Sequence, residues 1–476
     1  MKYEIVCGLE VHVEMNTKTK IFCGCTTAFG GAPNTHTCPV CTGQPGALPV
    51  LNRAVVEGAM STGLALGCEI TRLTRFDRKN YFYPDLPKAY QISQLYAPIC
   101  TGGGIAVTTD GGEEKYIRLH EIHMEEDAGK LVHDPWTEST LCDYNRCGVP
   151  LMEIVTEPDF RSAHEVIDFL TKLRSTLQFL GVSDCKMQEG SIRADLNVSV
   201  RPAGSEKLGT RTEMKNMNSF KAIAKAIETE AARQIEVLEE GRTVKQETRR
   251  WDDNKDASFA MRSKENAQDY RYFPEPDLPP VYIDDAWLER VRTHQPELAD
   301  AKRARYREEY GLSEHDIGIL CQNARLCRLL EAAIEQGASP KEVANWILSE
   351  VLRLCKERAV DPYDLELDAG KLALILQLLG EGKIDRAGAR NTLEAVFADD
   401  ADVEAYIKKE KLAIERDETA VAGAIAQVLA ENADAVEKFR AGNEKVMGFL
   451  TGQCMKLLRG KADPKQVSAA LLEALR

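Results

Sequence analysis

Apolar and polar residues alternate along several stretches in the first part of the chain. From Gly8 the sequence reads GLEVHVEM: Leu9, Val11, Val13 and Met15 are apolar, and Glu10, His12 and Glu14 fall between them. Successive side chains of a strand point to opposite faces. The segment therefore predicts a strand with one apolar face and one bearing two carboxylates and an imidazole. The alternation returns in KYIRLHEIHMEED, VPLMEIVTE and SIRADLNVSVRP. SAHEVIDFLTKLRSTLQFLG (162–181) and SFKAIAKAIETEAARQIEVLEEG (219–241) instead carry the helical period and stop at glycine. Turn signals, TGGG at Thr101 and DGGEE at Asp110, predict a hairpin. The proline-dense YRYFPEPDLPP (270–280) interrupts regular structure, because proline fixes φ and removes a backbone donor. A domain boundary is expected shortly after it, at 293/294. Beyond that point segments such as KLALILQLLGEG and AVAGAIAQVLAEN are helical and strand signals are gone. A further break near Tyr406 would leave a small helical tail. The expected domains are 1–293, 294–405 and 406–476.

The 476 residues suffice for two or three domains with real cores. A hydrophobic content of 43% and a charged content of 29% are those of an ordinary soluble globular protein. Glu4 and Glu10 interrupt any apolar region at the start, as a signal peptide would not allow. No apolar run approaches a membrane span. A cytoplasmic location is expected. The net charge of -14 excludes a generic polyanion binder. The charge is uneven, however: Lys438 to Arg476 holds eight Lys or Arg against three acids, a net of +5. Such a basic end fits either a nucleic-acid partner or a solvated helix face.

The polar sets on the alternating strands change the picture further. Glu121, His123, Glu125 and Asp127 share one face; Glu153 alternates with Met152 and Ile154. Ser191, Arg193, Asp195, Asn197 and Ser199 oppose Ile192, Ala194, Leu196, Val198 and Val200. Any one half-exposed antiparallel sheet alternates by default, polar side to water. Several carboxylate-bearing strands are another matter, since gathered carboxylates repel one another unless a cation sits among them. Mg²⁺ is held by carboxylates together with substrate phosphates, and Arg193 on the same face would suit a phosphate. The combination points to Mg²⁺-assisted phosphoryl transfer. The usual nucleotide loops are missing. GSEKLGTR at Gly204 has the glycine spacing of a phosphate loop, but Thr and Arg stand where Lys and Ser/Thr belong, and no G-x-G-x-x-G opens a helix. An ATP site here must be built on the sheet.

Fourteen cysteines are present. Cys23, Cys25, Cys38 and Cys41 lie in FCGCTTAFGGAPNTHTCPVC, a C-x-C and a C-x-x-C separated by twelve residues. Two close pairs on Gly/Pro-rich turns supply what a tetrahedral Zn²⁺ needs; the competing reading is a cluster of core or redox thiols. The other ten are irregularly spaced and read as small buried hydrophobes.

These motifs together resemble the B subunit of the aspartyl/glutamyl-tRNA amidotransferase. The resemblance rests on GLEVHVEMNTKTKIFCGC, CPVCTGQPGALPVLN, FDRKNYFYPDLPKAYQISQ, RLHEIHMEEDAGK, DYNRCGVPLMEIVTEPD, EGSIRADLNVSVR, RTEMKNMNSF and MRSKENAQDYRYFPEPDLPP. It is densest over the first ~290 residues and continues more weakly to the end. It implies an α+β fold: an N-terminal cradle domain with a mainly antiparallel sheet, related to glutamine synthetase and guanidino kinases, then an all-α domain and a small helical tail that grips tRNA. It implies that ATP and Mg²⁺ are used to phosphorylate the side-chain carboxylate of Glu on tRNA(Gln) or Asp on tRNA(Asn). Ammonia from the A subunit, an amidase, then displaces the phosphate, and a small C subunit completes the heterotrimer. The chain has no Cys at position 2 and no Gly-rich Ser-Ser segment, so a partner must make the ammonia.

Carried over residue by residue, the resemblance makes Glu10, His12, Glu125 and Glu153 the Mg²⁺ ligands and puts Asp195 and Asn197 beside them. It makes Arg193 and Lys215 phosphate contacts, and Lys79, Tyr81 and Lys88 the polar lining between the kinase pocket and the ammonia path. Cys23, Cys25, Cys38 and Cys41 become ligands of a structural Zn²⁺. Glu14 is expected to be a satisfied edge residue. Two other readings compete: a small-molecule carboxylate kinase or ligase of the glutamine synthetase type, and a non-catalytic zinc-containing RNA-binding module. The helical last third speaks against the first, and the carboxylate strands, which RNA repels, speak against the second.

Overall fold

The computed structural model describes residues 2–134, 136–261, 270–414, 418–440, 446–458 and 464–475. The chain divides into two compact units, Met1–Ala301 and Lys302–Arg476.

The first unit is built on one ten-stranded sheet. From edge to edge its strands are Ala257–Ala260, Thr248–Asp252, Thr212–Lys215, Ile192–Pro202, Tyr3–Glu14, Pro150–Thr156, Glu114–Glu126, Cys100–Thr101 and Glu69–Ile70; Gly104–Thr108 also pairs with Glu114–Glu126. Every pairing is antiparallel except that of Thr212–Lys215 with Thr248–Asp252. The Tyr3–Glu14 strand is central. It runs beside Ile192–Pro202 from Tyr3↔Pro202 to Val13↔Ile192, and beside Pro150–Thr156 on its other edge.

The alternation read from the sequence sets which face is covered. Leu9, Val11, Val13, Ile122, Met124, Met152, Ile154, Ile192, Ala194, Leu196 and Met214 are buried in one core with Val55, Met60, Phe169, Leu173, Ile223 and Ile227. Those partners come from the helices Arg53–Ala65, Ala163–Leu180 and Phe220–Glu239. The last two are capped by serine: Ser162 and Ser219 accept from the backbone N–H of Glu165 and Ala222, satisfying donors the first turn leaves open. Gly181, at φ 70°, ends the first of them in the left-handed conformation that glycine adopts without strain. The helices occupy the apolar face, and the polar face is left for ligands.

The expected hairpin forms between Gly104–Thr108 and Glu114–Glu126. The proline-dense segment is extended but not unpaired. Phe273–Pro274 joins Asp77–Asn80, Val281–Tyr282 joins Leu73–Thr74, and the helix Asp285–Thr293 follows. The second unit is helical throughout its described residues. Tyr406 falls inside the helix Val403–Lys409, so the chain leaves that helix at Glu410, beyond the break read from the sequence. The final helices, Glu418–Glu431, Ala433–Arg440, Val446–Leu457 and Pro464–Leu475, enclose a small core of Ile425, Val428, Leu450, Cys454, Val467 and Leu471. Residues 262–269, within one of the sequence motifs, and Arg459, Gly460 and Lys461 of the basic tail lie outside the described residues. No helix among the described residues is long and apolar enough to cross a membrane.

Candidate functional site

Strand register assembles the site. Antiparallel pairing sets Glu10 opposite Asp195, and His12 opposite both Arg193 and Glu153. Glu153 lies opposite His123, Leu151 opposite Glu125, and Asn197 opposite Glu213. Cross-strand neighbours on one face have Cβ atoms about 4.5–5.5 Å apart. Polar residues far apart in the chain therefore meet on the face opposite the helices.

Two oxygen-rich clusters result. In the first, His12, Glu125 and Glu153 can each present a ligand atom with all three atoms within 4.8 Å of one another. His12 Nε2 is 3.4 Å from Glu153 and 4.0 Å from Glu125, and His123 Nε2 is 3.0 Å from Glu153. In the second, Glu10, Asp195 and Glu213 meet the same criterion. Asn197 Nδ2 donates to Glu10 at 2.9 Å, and Lys215 Nζ donates to Asp195 at 2.6 Å and lies 2.9 Å from Glu213. Thr248 Oγ1 donates to Glu213 at 2.6 Å.

The crowding shifts the titration of these groups. Burial pushes the Glu10 carboxyl up, and the Glu153 charge pushes it further. Burial works against the His12 and His123 cations, but the surrounding carboxylates outweigh it and both imidazoles titrate above their ordinary value. Burial likewise opposes the Glu153 charge, yet His123 and His12 hold that carboxyl well below the usual range. A hard divalent cation takes carboxylate oxygens and tolerates imidazole, so both donor sets fit one.

The clusters open into one cavity of about 780 Å³, within the range of small-molecule sites. Its walls include Lys79, Tyr81, Asp127, Arg193, Lys215 and Tyr270. Lys79 Nζ lies 5.2 Å from the centre of the Tyr270 ring, a cation–π contact. Burial opposes its charge, but Glu125 and the residues beyond it hold its pKa above the ordinary lysine value. Arg193 Nη2 donates to Asp127 at 2.7 Å.

Of the residues singled out from the sequence, Glu10, His12, Lys79, Glu125, Glu153, Arg193, Asp195, Asn197 and Lys215 all line this cavity. Lys88 does not: its ammonium pairs with Glu126 and sits over the Tyr90 and Phe22 rings. The reason is parity. Glu126 follows Glu125 on the strand and points to the opposite face. Glu14 is not a satisfied edge residue either. One of its carboxylate oxygens is buried without a hydrogen-bond partner, and burial, with the Asp127 charge next, lifts its carboxyl to about 8. Glu213 and Thr248 were missed. TEMK does alternate, with Thr212 and Met214 buried, but four residues are too short a run to read as a ligand strand.

The cysteine cluster is separate. The sulfurs of Cys23, Cys25, Cys38 and Cys41 can lie within 4.8 Å of one another, with Cys41 Sγ 3.9 Å from Cys38 Sγ. That is a closed, four-thiol set of the structural zinc type. A hydrogen bond from Cys23 is the main influence lowering the Cys41 thiol below its ordinary value. Of the ten scattered cysteines, all but the half-buried Cys142 are buried.

The fold and site define a sheet-rich α/β unit whose polar face lines a cavity with carboxylates, imidazoles and cationic side chains. Residues 5–289 match the family model described as the GatB/GatE catalytic domain, and residues 328–475 match the one described as the GatB domain. Proteins named as the B subunit of aspartyl/glutamyl-tRNA(Asn/Gln) amidotransferase are similar over the whole length. That of Lachnoclostridium phytofermentans is 57% identical over 473 residues, 99% of each chain. That of Agathobacter rectalis is 55% identical over 473 residues, again 99% of each. That of Caldicellulosiruptor bescii is 51% identical over 478 residues, 100% of this chain and 99% of the relative. The chain belongs to the family of aspartyl/glutamyl-tRNA(Asn/Gln) amidotransferase B subunits.

Proposed function

We propose that this chain phosphorylates the side-chain carboxylate of Glu-tRNA(Gln), Asp-tRNA(Asn) or both with ATP, and then hosts the attack of ammonia that gives the amide. The single observation that carries the reading is the pair of oxygen-rich clusters facing one cavity, with Arg193, Lys215 and Lys79 among its walls. A carboxylate is a poor acyl donor to ammonia, because its leaving group would be oxide. Transfer of the γ-phosphoryl group to a carboxylate oxygen supplies a leaving group, and ammonia then expels phosphate. Mg²⁺ would neutralise phosphate charge and polarise the transferred group.

His12, Glu125 and Glu153 are the residues to hold one cation, and Glu10 and Asp195, with Glu213, a second. Asn197 fixes Glu10 through its amide hydrogen bond. Arg193 and Lys215 now answer Asp127 and Asp195 and are placed to turn to phosphate oxygens. Lys79 and Tyr81 form the polar wall through which ammonia arrives. Lys88 has no part in this scheme. The partners are the amidase (A) and small (C) subunits of the amidotransferase, forming a heterotrimer, and misacylated tRNA. The setting is the cytoplasm, and Cys23, Cys25, Cys38 and Cys41 hold a structural Zn²⁺. We further assign the sheet-rich unit to the cradle fold related to glutamine synthetase and guanidino kinases. The domains we propose are three, 1–293, 294–410 and 411–476, the second boundary set by the end of the helix Val403–Lys409.

The test is ATP hydrolysis by the assembled complex with each misacylated tRNA in turn. Stimulation by Glu-tRNA(Gln) or Asp-tRNA(Asn), but not by the correctly charged tRNAs, is expected. No stimulation by either overturns the reading.

A further inference from the structure

We infer that Lys20 is the built-in counter-cation of the four-cysteine metal site. The inference rests on the reading that Cys23, Cys25, Cys38 and Cys41 hold a divalent metal as thiolates. Lys20 is fully buried, at 0% exposure. Lysine is almost never fully buried unless paired. Its Nζ donates to the backbone carbonyl of His36 at 2.7 Å and to Cys41 Sγ at 3.6 Å. Among the described residues it forms no ion pair with a carboxylate; the nearby Glu126 is paired with Lys88. One neutral carbonyl does not compensate a buried ammonium. With Glu126 already answered by Lys88, the acceptor that Lys20 Nζ reaches besides that carbonyl is the Cys41 sulfur, and a thiolate there supplies the missing negative charge.

Four thiolates around a divalent ion carry a net charge of two minus. A single buried ammonium on one sulfur halves that excess. The surrounding chain holds the lysine in place. Its own backbone N–H donates to the Cys25 carbonyl at 2.9 Å, and Asn52 Nδ2 reaches its carbonyl at 3.4 Å. A Cβ on Gly148 would stand 3.6 Å from Lys20 Cδ and 3.4 Å from Cys41 Cβ, so the lysine stem and the Cys41 side chain line the same side of Gly148. Local pattern does not reveal this role. Lys20 lies in NTKTKIFCGC, where a lysine beside Thr reads as a solvated residue.

The test uses the full-length chain. Lys20→Met keeps the stem and removes the charge. Zinc affinity is measured by competition with a chromophoric chelator, and zinc content by elemental analysis. Loss of an outer partner of a metal ligand weakens metal binding by about 10- to 100-fold, which is the shift expected. Equal zinc affinity in Lys20→Met and wild type overturns the inference. A second measurement needs only wild type: mass spectrometry after labelling with an amine-reactive reagent. Lys20 is expected to be protected with zinc bound and to react once a chelator removes it. Protection in both states overturns the inference even if Lys20→Met fails to fold. Wild type that holds no zinc when well folded defeats the metal reading itself, a different outcome from either of these.

Discussion

Glu125→Gln tests the metal cluster most directly. Glu125 is 3% exposed and sits on the central part of the sheet. Its oxygens lie 4.0 Å from His12 Nε2 and 3.8 Å from His123 Nε2, and it accepts from Ser93 Oγ at 3.2 Å. Glutamine preserves the shape and the Ser93 hydrogen bond, so the strand should form unchanged; only a charge is lost. A unit charge pair at about 4 Å with an effective dielectric of ~20 is worth about 4 kcal/mol. A divalent ion doubles that to about 8 kcal/mol, and at 1.36 kcal/mol per decade the ceiling on the loss of cation affinity is about six decades. The floor is the roughly 10- to 100-fold cost of altering a residue that merely orients a ligand. A direct ligand should fall between them, about 10²- to 10³-fold. The assay is Mn²⁺ calorimetry on the full-length variant, followed by phosphate release from the assembled complex with misacylated tRNA at sub-saturating metal. Mn²⁺ affinity within about threefold of wild type, ~0.7 kcal/mol, together with normal ATP turnover, would refute the assignment.

The pH dependence of the same cluster has two signs, according to whether a cation is present. The His12 and His123 pKa values are raised above 6.5, so without metal their stabilising contribution is complete below the unfolded value and is lost as pH rises through the folded one. Glu153, held well below 4.5, contributes above that value and loses its contribution on further acidification. In chelator the melting temperature should therefore decline from about pH 6.5 upward, whereas the increment added by Mn²⁺ should grow, because metal must displace the His12 proton. Thermal melts with and without Mn²⁺ check this, and an increment that shrinks with rising pH contradicts it. Truncation after Glu410 should raise the KM for misacylated tRNA and flatten its salt dependence, since the eight Lys and Arg between Lys438 and Arg476 are lost with it. Filter binding at two salt concentrations reads it, and equal tRNA affinity for both forms defeats it.

Much of the site was legible because a strand's period is two. Glu10, His12, Glu153, Asp195 and Asn197 could each be assigned to a polar face from their own segment. The helix caps were equally local: Ser162, Ser219 and Gly181 do their work within a few residues. The break near Tyr406 was less secure. A helix boundary depends on how the neighbouring helices cover its face, and Ile407, one residue on, is buried.

Register is not local, and the sequence falls short where register decides. The second cluster needs Glu213 opposite Asn197, which depends on how Thr212–Lys215 meets Ile192–Pro202 across a connection with no regular structure of its own. Thr248 reaches Glu213 because its strand enters parallel, after the helix Phe220–Glu239 has crossed over. Lys88 lies outside the cavity for the converse reason. The motif around it is specific, but a motif does not say to which side of a neighbouring strand a long side chain turns, and here it turns to Glu126. The same parity separates the two acids: Glu125 faces the cavity and Glu126 the cysteine side, where Lys20 lies near it across Gly148. One strand thus carries adjacent carboxylates to two different chemistries. A substitution at Glu126 should be felt first through Lys88, and at Glu125 first through His12.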